Sequence, residues 1–158
     1  MPIDAQDRAA VTELVHLHGH LFDGGELDRL DALFTEDVVY DVSDLGGGEL
    51  VGVAAVRDAA LALGDRNPVA HHVTNVVLSE LPDGSVRALS KGLGVYADGT
   101  CGSVTYDDRI IRGAHGWRIS RRAVLARRVP LGGAASGGAA SSGAVSGDAA
   151  SGDGVSVD

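Results

Sequence analysis

Four β-rich runs in the second half of the chain constrain its fold more than any other feature of the sequence. They follow Pro68 and are separated by short turn sequences rich in Gly and Asp. The runs cover residues 69–81, 85–97, 101–112 and 117–128. Each run is about twice as long as an ordinary strand, and turns of this length join antiparallel neighbours. The pattern therefore predicts a long, strongly curved antiparallel meander.

The residues before Pro68 have helical rather than strand periodicity. Apolar side chains recur at helical spacing between Val11 and Phe22, and Asp4 precedes them as a suitable N-cap. Gly24 and the glycine after it are typical of a helix end. The sequence therefore predicts one amphipathic helix over most of its first 23 positions.

Two further helices and a short strand are predicted between the first helix and the sheet. The helices cover residues 27–34 and 53–63, the strand covers residues 38–42, and a glycine loop follows at residues 46–48. Three helices over the concave face of a curved sheet form an α+β cone with a pocket between the two layers. We expect this cone to form one compact domain over residues 1–131.

The end of the chain has a composition of its own. Residues 132–158 are mostly Gly, Ala and Ser, and they include no aromatic residue. A segment of this kind cannot bury enough apolar surface to offset the entropy of ordering it. We therefore expect a flexible tail after the domain.

Charge and hydropathy narrow the classes of partner. The formal net charge of −9 argues against nucleic acid or an anionic membrane as the main partner. No apolar run approaches the length that crosses a bilayer, and no signal segment begins the chain. A cytoplasmic protein that binds a small molecule is the simplest expectation.

Cysteine use and motif content bear on the chemistry. Cys101 is the only cysteine, which rules out an internal disulfide, and we expect it to be a buried structural thiol. The sequence contains no phosphate-binding loop, no dinucleotide fingerprint and no Cys/His cluster suited to zinc. We therefore expect proton-transfer chemistry that requires no cofactor and no metal ion.

Asp23 and His71 are the residues best suited to acid/base chemistry. Asp23 ends the first predicted helix, and His71 opens the first long strand. Because that helix packs over the sheet, both side chains would face the interior of the cone. A carboxylate behind a histidine fixes its tautomer and stabilises the imidazolium formed by proton transfer. His72 is the alternative base, because both faces of this run are mainly apolar and a one-residue slip exchanges them. With His71 as the base, His72 is a candidate residue for binding substrate.

Four more side chains could contribute to the pocket. His18 lies on the apolar face of the first helix, where it could donate a proton to a leaving group or serve as a core histidine. Tyr40 could polarise a carbonyl or be a partly buried structural residue. Asn75 could bind a polar substrate atom. Arg109 belongs, with Asp107 and Asp108, to a charged run of the kind that usually forms an exposed strand face, but one of these residues could reach a substrate inside the cone.

A basic stretch lies near the end of the last β-rich run. It contains Arg121, Arg122, Arg127 and Arg128. Arginines at alternate strand positions are expected in solvent or in ion pairs more often than in a phosphate site. We expect solvent or ion pairs here.

The order of elements and four short motifs resemble the SnoaL-like branch of the NTF2-like superfamily. The motifs are FDGGELDRLDALFTEDVVYD at residues 22–41, GxxAVRD at residues 52–58, HHVTN at residues 71–75 and YDDRIIRGAHGWRISRR at residues 106–122. The resemblance covers residues 5–128 and implies a conical NTF2-like fold. That fold hosts polyketide cyclases, dehydratases and ketosteroid isomerases, and also non-catalytic oxygenase β-subunits.

The resemblance also implies roles for individual residues. Dehydratases of this fold have a catalytic Asp after the first helix and a catalytic His at the start of the first long strand, which Asp23 and His71 match. The match favours His71 over His72 as the catalytic residue. A Tyr is common in these enzymes where this chain has His18. A homodimer is expected by resemblance alone.

Two functions follow as expectations. The first is a cofactor-independent dehydratase, isomerase or cyclase acting on a small oxygenated apolar metabolite, such as a polyketide or terpenoid intermediate. The second is a non-catalytic module of the same fold that binds a ligand or supports an assembly, as an oxygenase β-subunit does.

Overall fold

The computed structural model of the protein describes residues 3–133. Except for its first two residues, the tail predicted at residues 132–158 lies outside the described residues. Within residues 3–133 there are two α-helices and six strands, joined by short 3-10 turns. The helices are α1 (Ala5–Asp23) and α2 (Val53–Leu63). The strands are β1 (Phe34–Asp41), β2 (Glu49–Val51), β3 (Ala70–Glu80), β4 (Val86–Val95), β5 (Cys101–Gly113) and β6 (Gly116–Arg127).

The six strands form one curved sheet in the order β2-β1-β6-β5-β4-β3. Strands β3 to β6 follow one another as a long antiparallel meander. The only parallel pair among the described strands is β1 with β6, and β2 extends the sheet beyond β1. The predicted α+β cone with a mainly antiparallel sheet is confirmed.

Two elements differ in detail from the prediction. The second predicted helix is present as a 3-10 helix at Leu27–Ala32. Strand β1 begins two residues after it at Phe34, earlier than the predicted residue 38. Strand β2 was not predicted, because three residues after a glycine loop are too few to show an alternating pattern. The third predicted helix is confirmed at Val53–Leu63.

Helix α1 crosses the concave face of the sheet and is fixed at both ends. Asp4 is its N-cap, and the side chain accepts a hydrogen bond of 2.7 Å from the backbone N–H of Asp7. The Asp7 carboxylate in turn accepts a 3.0 Å hydrogen bond from the indole N–H of Trp117 in β6. Val11 and Val15 are fully buried on the inner face of the helix. These contacts hold α1 against the sheet, so that its last turn reaches β3.

Gly19 allows the last turn of α1 to approach β3 closely. A Cβ atom at this position would overlap the backbone carbonyl oxygen of His71. Only glycine therefore permits the observed packing of helix against strand. This close approach brings the end of α1 and the start of β3 together at one edge of the cone.

Candidate active site

A cavity of about 950 Å³ lies between the helical layer and the concave face of the sheet. Its most buried polar lining residues are His18, Tyr40 and Tyr106. His71 also lines it, whereas most of the remaining lining side chains are apolar or small. A volume of this size suits a ligand of small to medium size.

Asp23 and His71 meet at the wall of this cavity. The Nδ1 atom of His71 lies 2.6 Å from Oδ1 of Asp23. The second carboxylate oxygen, Oδ2, accepts a 2.8 Å hydrogen bond from the backbone N–H of His71. Strand β3 is the edge strand of the sheet, which leaves this N–H free to bond to the helix end rather than to another strand. One carboxylate therefore fixes both the backbone and the ring of a single histidine.

The hydrogen bond to Asp23 determines which nitrogen of His71 is available. A carboxylate can only accept, so Nδ1 of His71 carries the hydrogen in this contact. Nε2 then keeps its lone pair and is the free acceptor of the ring. The side chains of His71 and Asp23 are 16% and 25% exposed, so the pair is shielded but reachable.

His18 is buried beside His71. Its side chain is 1% exposed, and its Nδ1 has no hydrogen-bond partner among residues 3–133. The two imidazole rings meet edge to face with their centroids 5.2 Å apart. Burial lowers the pKa of His18 well below 6.5, and the positive charge of Arg122 and the neighbouring His71 add to this shift. His18 is therefore a neutral imidazole at neutral pH.

Tyr40 and Tyr106 contribute two phenol groups to the cavity wall. Burial raises the pKa of both, and for Tyr40 the nearby Arg122 guanidinium opposes this shift only in part. Both phenols are therefore protonated at neutral pH and can donate hydrogen bonds. Gly92 makes room for Tyr106, because a Cβ there would lie 2.5 Å from the Tyr106 ring.

A fully buried ion pair lies beneath these tyrosines. The Arg122 guanidinium donates two hydrogen bonds of 2.7 Å to the Asp108 carboxylate, and neither side chain is exposed. The guanidinium carbon lies 4.4 Å from the centroid of the Tyr106 ring. Burial acts to lower the pKa of Arg122, but the Asp108 carboxylate and the two phenols together raise it, so the guanidinium stays charged. Burial raises the pKa of the Asp108 carboxyl, and the Arg122 guanidinium opposes that rise.

Sequence reasoning did not identify Tyr106 or Arg122 as part of the site, and it considered Asp108 only as one member of the charged run that includes Arg109. A signal was present in the strand alternation. In β5, Asp108 is two residues away from both Tyr106 and Ile110, which are buried. In β6, Arg122 is two residues away from the buried Val124. Because side chains alternate between the faces of a strand, these positions predict that Asp108 and Arg122 also face inward.

His72 and Arg109, predicted to bind substrate, do not line the cavity. His72 is exposed because it follows His71 in an extended strand and points to the opposite face. Arg109 is exposed for the same reason, since its neighbour Asp108 takes the inward position in β5. Arg109 instead forms an ion pair with Asp83 on the outer surface.

Asn75 was also predicted to bind substrate and is also outside the cavity. Between Thr74 and Val77 the register of β3 against β4 shifts, which is the mark of a β-bulge. Asn75 occupies the bulge with a φ of 55°, a conformation that Asn tolerates better than most residues. Its side chain is exposed, and its Oδ1 accepts a 2.7 Å hydrogen bond from the Thr74 hydroxyl.

The prediction of a buried thiol was wrong. Cys101 is the first residue of β5 and is exposed where the cavity opens to solvent. Strand ends carry fewer neighbours than strand centres, which accounts for the exposure.

Two kinds of feature are absent from residues 3–133. Within residues 3–133, no three His, Cys, Asp or Glu side chains are grouped so as to hold a metal ion. Neither helix of this part of the chain has the length and apolar character needed to cross a membrane.

Solved structures share this fold. A proposed aromatic ring hydroxylase from Novosphingobium aromaticivorans is 28% identical over 81% of this chain and 94% of its own, with a TM-score of 0.63. A protein of unknown function from Nostoc punctiforme, with a cystatin-like fold, is 19% identical over 83% of this chain and 99% of its own, with a TM-score of 0.68. A proposed scytalone dehydratase from Novosphingobium aromaticivorans is 18% identical over 77% of this chain and 84% of its own, with a TM-score of 0.60.

Sequence comparison gives the family. No curated protein matches the chain. Residues 4–123 match the profile of the SnoaL-like domain, and this span includes both helices and all strands except the last residues of β6. The chain therefore belongs to the SnoaL-like family.

Proposed function

We propose that this protein is a cofactor-independent acid/base enzyme, a lyase or isomerase, in which His71 removes a proton from an activated carbon. The observation that carries the proposal is the pair of hydrogen bonds that His71 donates to the Asp23 carboxylate at the wall of the cavity. A carboxylate that binds both the backbone and the ring of one histidine fixes the orientation of that ring beside the cavity. A base that removes a proton from a bound substrate needs such a fixed orientation.

The proposed first step is the transfer of a proton from carbon to His71. The C–H bond beside a substrate carbonyl breaks, its proton bonds to Nε2 of His71, and its electron pair moves into an enolate. His71 becomes an imidazolium whose Nδ1–H remains hydrogen-bonded to the Asp23 carboxylate, 2.6 Å away in the resting state. The negative charge of Asp23 stabilises that imidazolium. Acid/base help of this kind contributes about 10²–10⁴ in rate.

Tyr40 is the proposed donor to the enolate oxygen. Its phenol is protonated because burial raises its pKa, and it lines the same cavity as His71. The buried Arg122 adds positive potential on this side of the cavity. His18 is neutral and packs edge-on against His71, so its role in the proposal is to orient that ring without competing for the proton.

The fate of the proton distinguishes the possible reactions. In an elimination, the His71 imidazolium returns the proton to a departing hydroxyl, which leaves as water. In an isomerisation it returns the proton to another carbon. The similarity to a proposed scytalone dehydratase supports elimination. The apolar lining supports a small oxygenated apolar substrate, such as a polyketide or terpenoid intermediate.

A second candidate function is a non-catalytic module that supports an oxygenase assembly. The similarity to a proposed aromatic ring hydroxylase favours it. In that case Asp23 and His71 would serve only to join α1 to β3. The two candidates differ in one measurable property, which is proton exchange at a bound ligand.

The test measures exchange of the acidic α-hydrogens of 2-tetralone for deuterium in D₂O, followed by NMR. Proton removal is common to elimination, isomerisation and cyclisation, so the readout does not depend on the later steps. We expect wild-type protein to accelerate exchange above the buffer rate. His71→Ala and Asp23→Asn should each lose about 10²-fold or more of that acceleration.

His72→Ala is the matched control, because it removes the neighbouring imidazole that points out of the cavity. This variant should exchange at the wild-type rate. Equal exchange by wild type and His71→Ala, with both proteins folded, would sink the proposed base and favour the non-catalytic module.

A further inference from the structure

Within residues 3–133, the charged side chains that line the cavity are all arginines. Arg66, Arg127 and Arg128 line it and are exposed at its opening. No Asp or Glu is among the lining side chains within residues 3–133. This is unexpected in a chain whose formal net charge is −9. The opening is therefore a local concentration of positive charge on an acidic protein.

Among the residues that the structure describes, these three arginines also differ from most other arginines because they have no carboxylate partner. Elsewhere arginines are generally paired with an Asp or Glu within 4.0 Å. Arg127 instead donates a 3.1 Å hydrogen bond to the Thr105 hydroxyl, and Arg128 donates one of 3.4 Å to the backbone carbonyl of Asp44. Within the described residues no carboxylate oxygen lies within 4.0 Å of Arg66, Arg127 or Arg128. Their positive charges are available to a ligand.

Both layers of the cone contribute to this cluster. Arg66 ends the 3-10 turn Gly64–Arg66 that follows α2, in the helical layer. Arg127 is the last residue of β6, in the sheet, and Arg128 follows it. The hydrogen bonds of Arg127 and Arg128 to neutral oxygens hold these side chains in place without cancelling their charge. The result is a cationic opening above a largely apolar cavity.

We infer that the substrate carries an anionic group, a carboxylate or a phosphate, which Arg66, Arg127 and Arg128 bind while its apolar body extends towards His71. The inference rests on the proposed function only in taking this cavity as the substrate site. The planar guanidinium offers paired N–H donors that match the two oxygens of a carboxylate or phosphate. The substrate class is thus an apolar oxygenated molecule with one acidic end. Arg127 and Arg128 are exposed to solvent, as the sequence predicted, and the inference adds a binding role to them.

The test compares ligands that share one ring system and differ in charge. Isothermal titration calorimetry would measure binding of 2-naphthoate, 2-naphthyl phosphate and the neutral 2-naphthamide to the full chain. Wild-type protein should bind one of the anions more tightly than the amide, and the preferred anion identifies carboxylate or phosphate. The combined variant Arg66→Gln, Arg127→Gln and Arg128→Gln should weaken the preferred anion by about tenfold. Its affinity for 2-naphthamide should not change.

Arg57→Gln is the matched control. Arg57 is an exposed arginine of α2 that does not line the cavity and pairs with Asp28 at 3.1 Å. This control should bind all three ligands as wild type does. Equal affinity of the wild type for the anions and the amide overturns the inference, as does failure of both anions to bind at millimolar concentration.

The binding test is independent of catalysis. His71→Ala should keep the preference for the anion even though it loses proton exchange. A protein that exchanges protons but shows no anion preference would refute the anionic substrate alone. One that prefers the anion but does not exchange protons would refute the proposed enzyme alone.

Discussion

At the scale of single residues, the carboxylate of Asp23 controls the properties of His71. Its two oxygens accept from the ring Nδ1 and from the backbone N–H of the same residue, at 2.6 Å and 2.8 Å. Hydrogen bonds to a charged acceptor are each worth about 1.5–3 kcal/mol. The ring is therefore held in one tautomer and one orientation. A histidine held in this way needs little reorganisation before it accepts a proton.

His18 gives a prediction about stability and pH. Its pKa in the fold lies well below 6.5 because it is buried, whereas in the unfolded chain it titrates near 6.5. Below that pH the unfolded chain therefore binds a proton that the folded chain does not, and stability falls as the pH is lowered. We expect His18→Gln to reduce the loss of unfolding free energy between pH 7.5 and pH 5.5 by about 1 kcal/mol.

The measurement is urea unfolding at a series of pH values. His16→Gln is the control, because His16 is an exposed residue of the same helix. It should leave the pH dependence of stability unchanged. If His18→Gln and wild type lose the same stability on acidification, His18 is not the buried neutral group described above.

At the scale of elements, the contact between α1 and β3 assembles the site. The sequence pattern was sufficient to predict that Asp23 ends a helix and that His71 opens a strand, because caps and turns are local signals. It was not sufficient to choose between His71 and His72. Apolar residues occupy both faces of this strand, and the bulge at Asn75 reverses the alternation partway along it. Only the packing of the helix on the strand decides which histidine faces inward.

Gly19 provides the prediction at this scale. Helix propensity alone favours Ala over Gly by about 1 kcal/mol, but here a Cβ would overlap the His71 carbonyl oxygen. We expect Gly19→Ala to lower the free energy of unfolding by about 1–3 kcal/mol, as overpacking does. It should also slow proton exchange, because the end of α1 would move away from His71.

Thermal unfolding and the exchange assay check this prediction together. His16→Ala, at an exposed position of α1, should leave both unchanged. A higher melting temperature for Gly19→Ala with normal exchange would mean that α1 and β3 are not in the close contact described here.

At the scale of the whole molecule, the curved sheet encloses a charged pair that the sequence did not reveal. Asp108 and Arg122 stand in runs of charged residues that resemble exposed strand faces. Their burial depends on the pairing of β5 with β6, which places the two residues directly opposite each other. Strand pairing is a property of the assembled sheet and not of either run alone. The cone and its meander of four long strands could thus be anticipated from sequence, whereas strand β2 and the pairing of Asp108 with Arg122 were not.

The buried pair gives a prediction about global stability. Removal of one partner leaves an uncompensated charge in the interior, so Arg122→Met should cost about 3–5 kcal/mol in unfolding free energy. Adding Asp108→Leu should restore most of that loss, because the second charge is then also removed. Arg87→Met is the control, since Arg87 is half exposed in its pair with Asp107, and it should cost about 1 kcal/mol or less.

Chemical unfolding of these variants measures how strongly the contributions of Asp108 and Arg122 to stability depend on each other. Similar losses for Arg122→Met and Arg87→Met would show that the Asp108–Arg122 pair is not buried in solution. A double variant that is no more stable than Arg122→Met would argue that the pair has a structural role beyond charge compensation.

The central claim is that Asp23 holds His71 with a proton on Nδ1 and a free Nε2 facing the cavity. The most direct measurement is the ¹⁵N NMR spectrum of the His71 ring at a pH where it is neutral, in wild type and in Asp23→Asn. We expect wild-type His71 to carry its proton on Nδ1, and we expect Asp23→Asn to lose the preference for this tautomer. A wild-type spectrum with the proton on Nε2 would contradict this claim, because the unprotonated nitrogen of His71 would then face Asp23 and no free nitrogen would face the cavity.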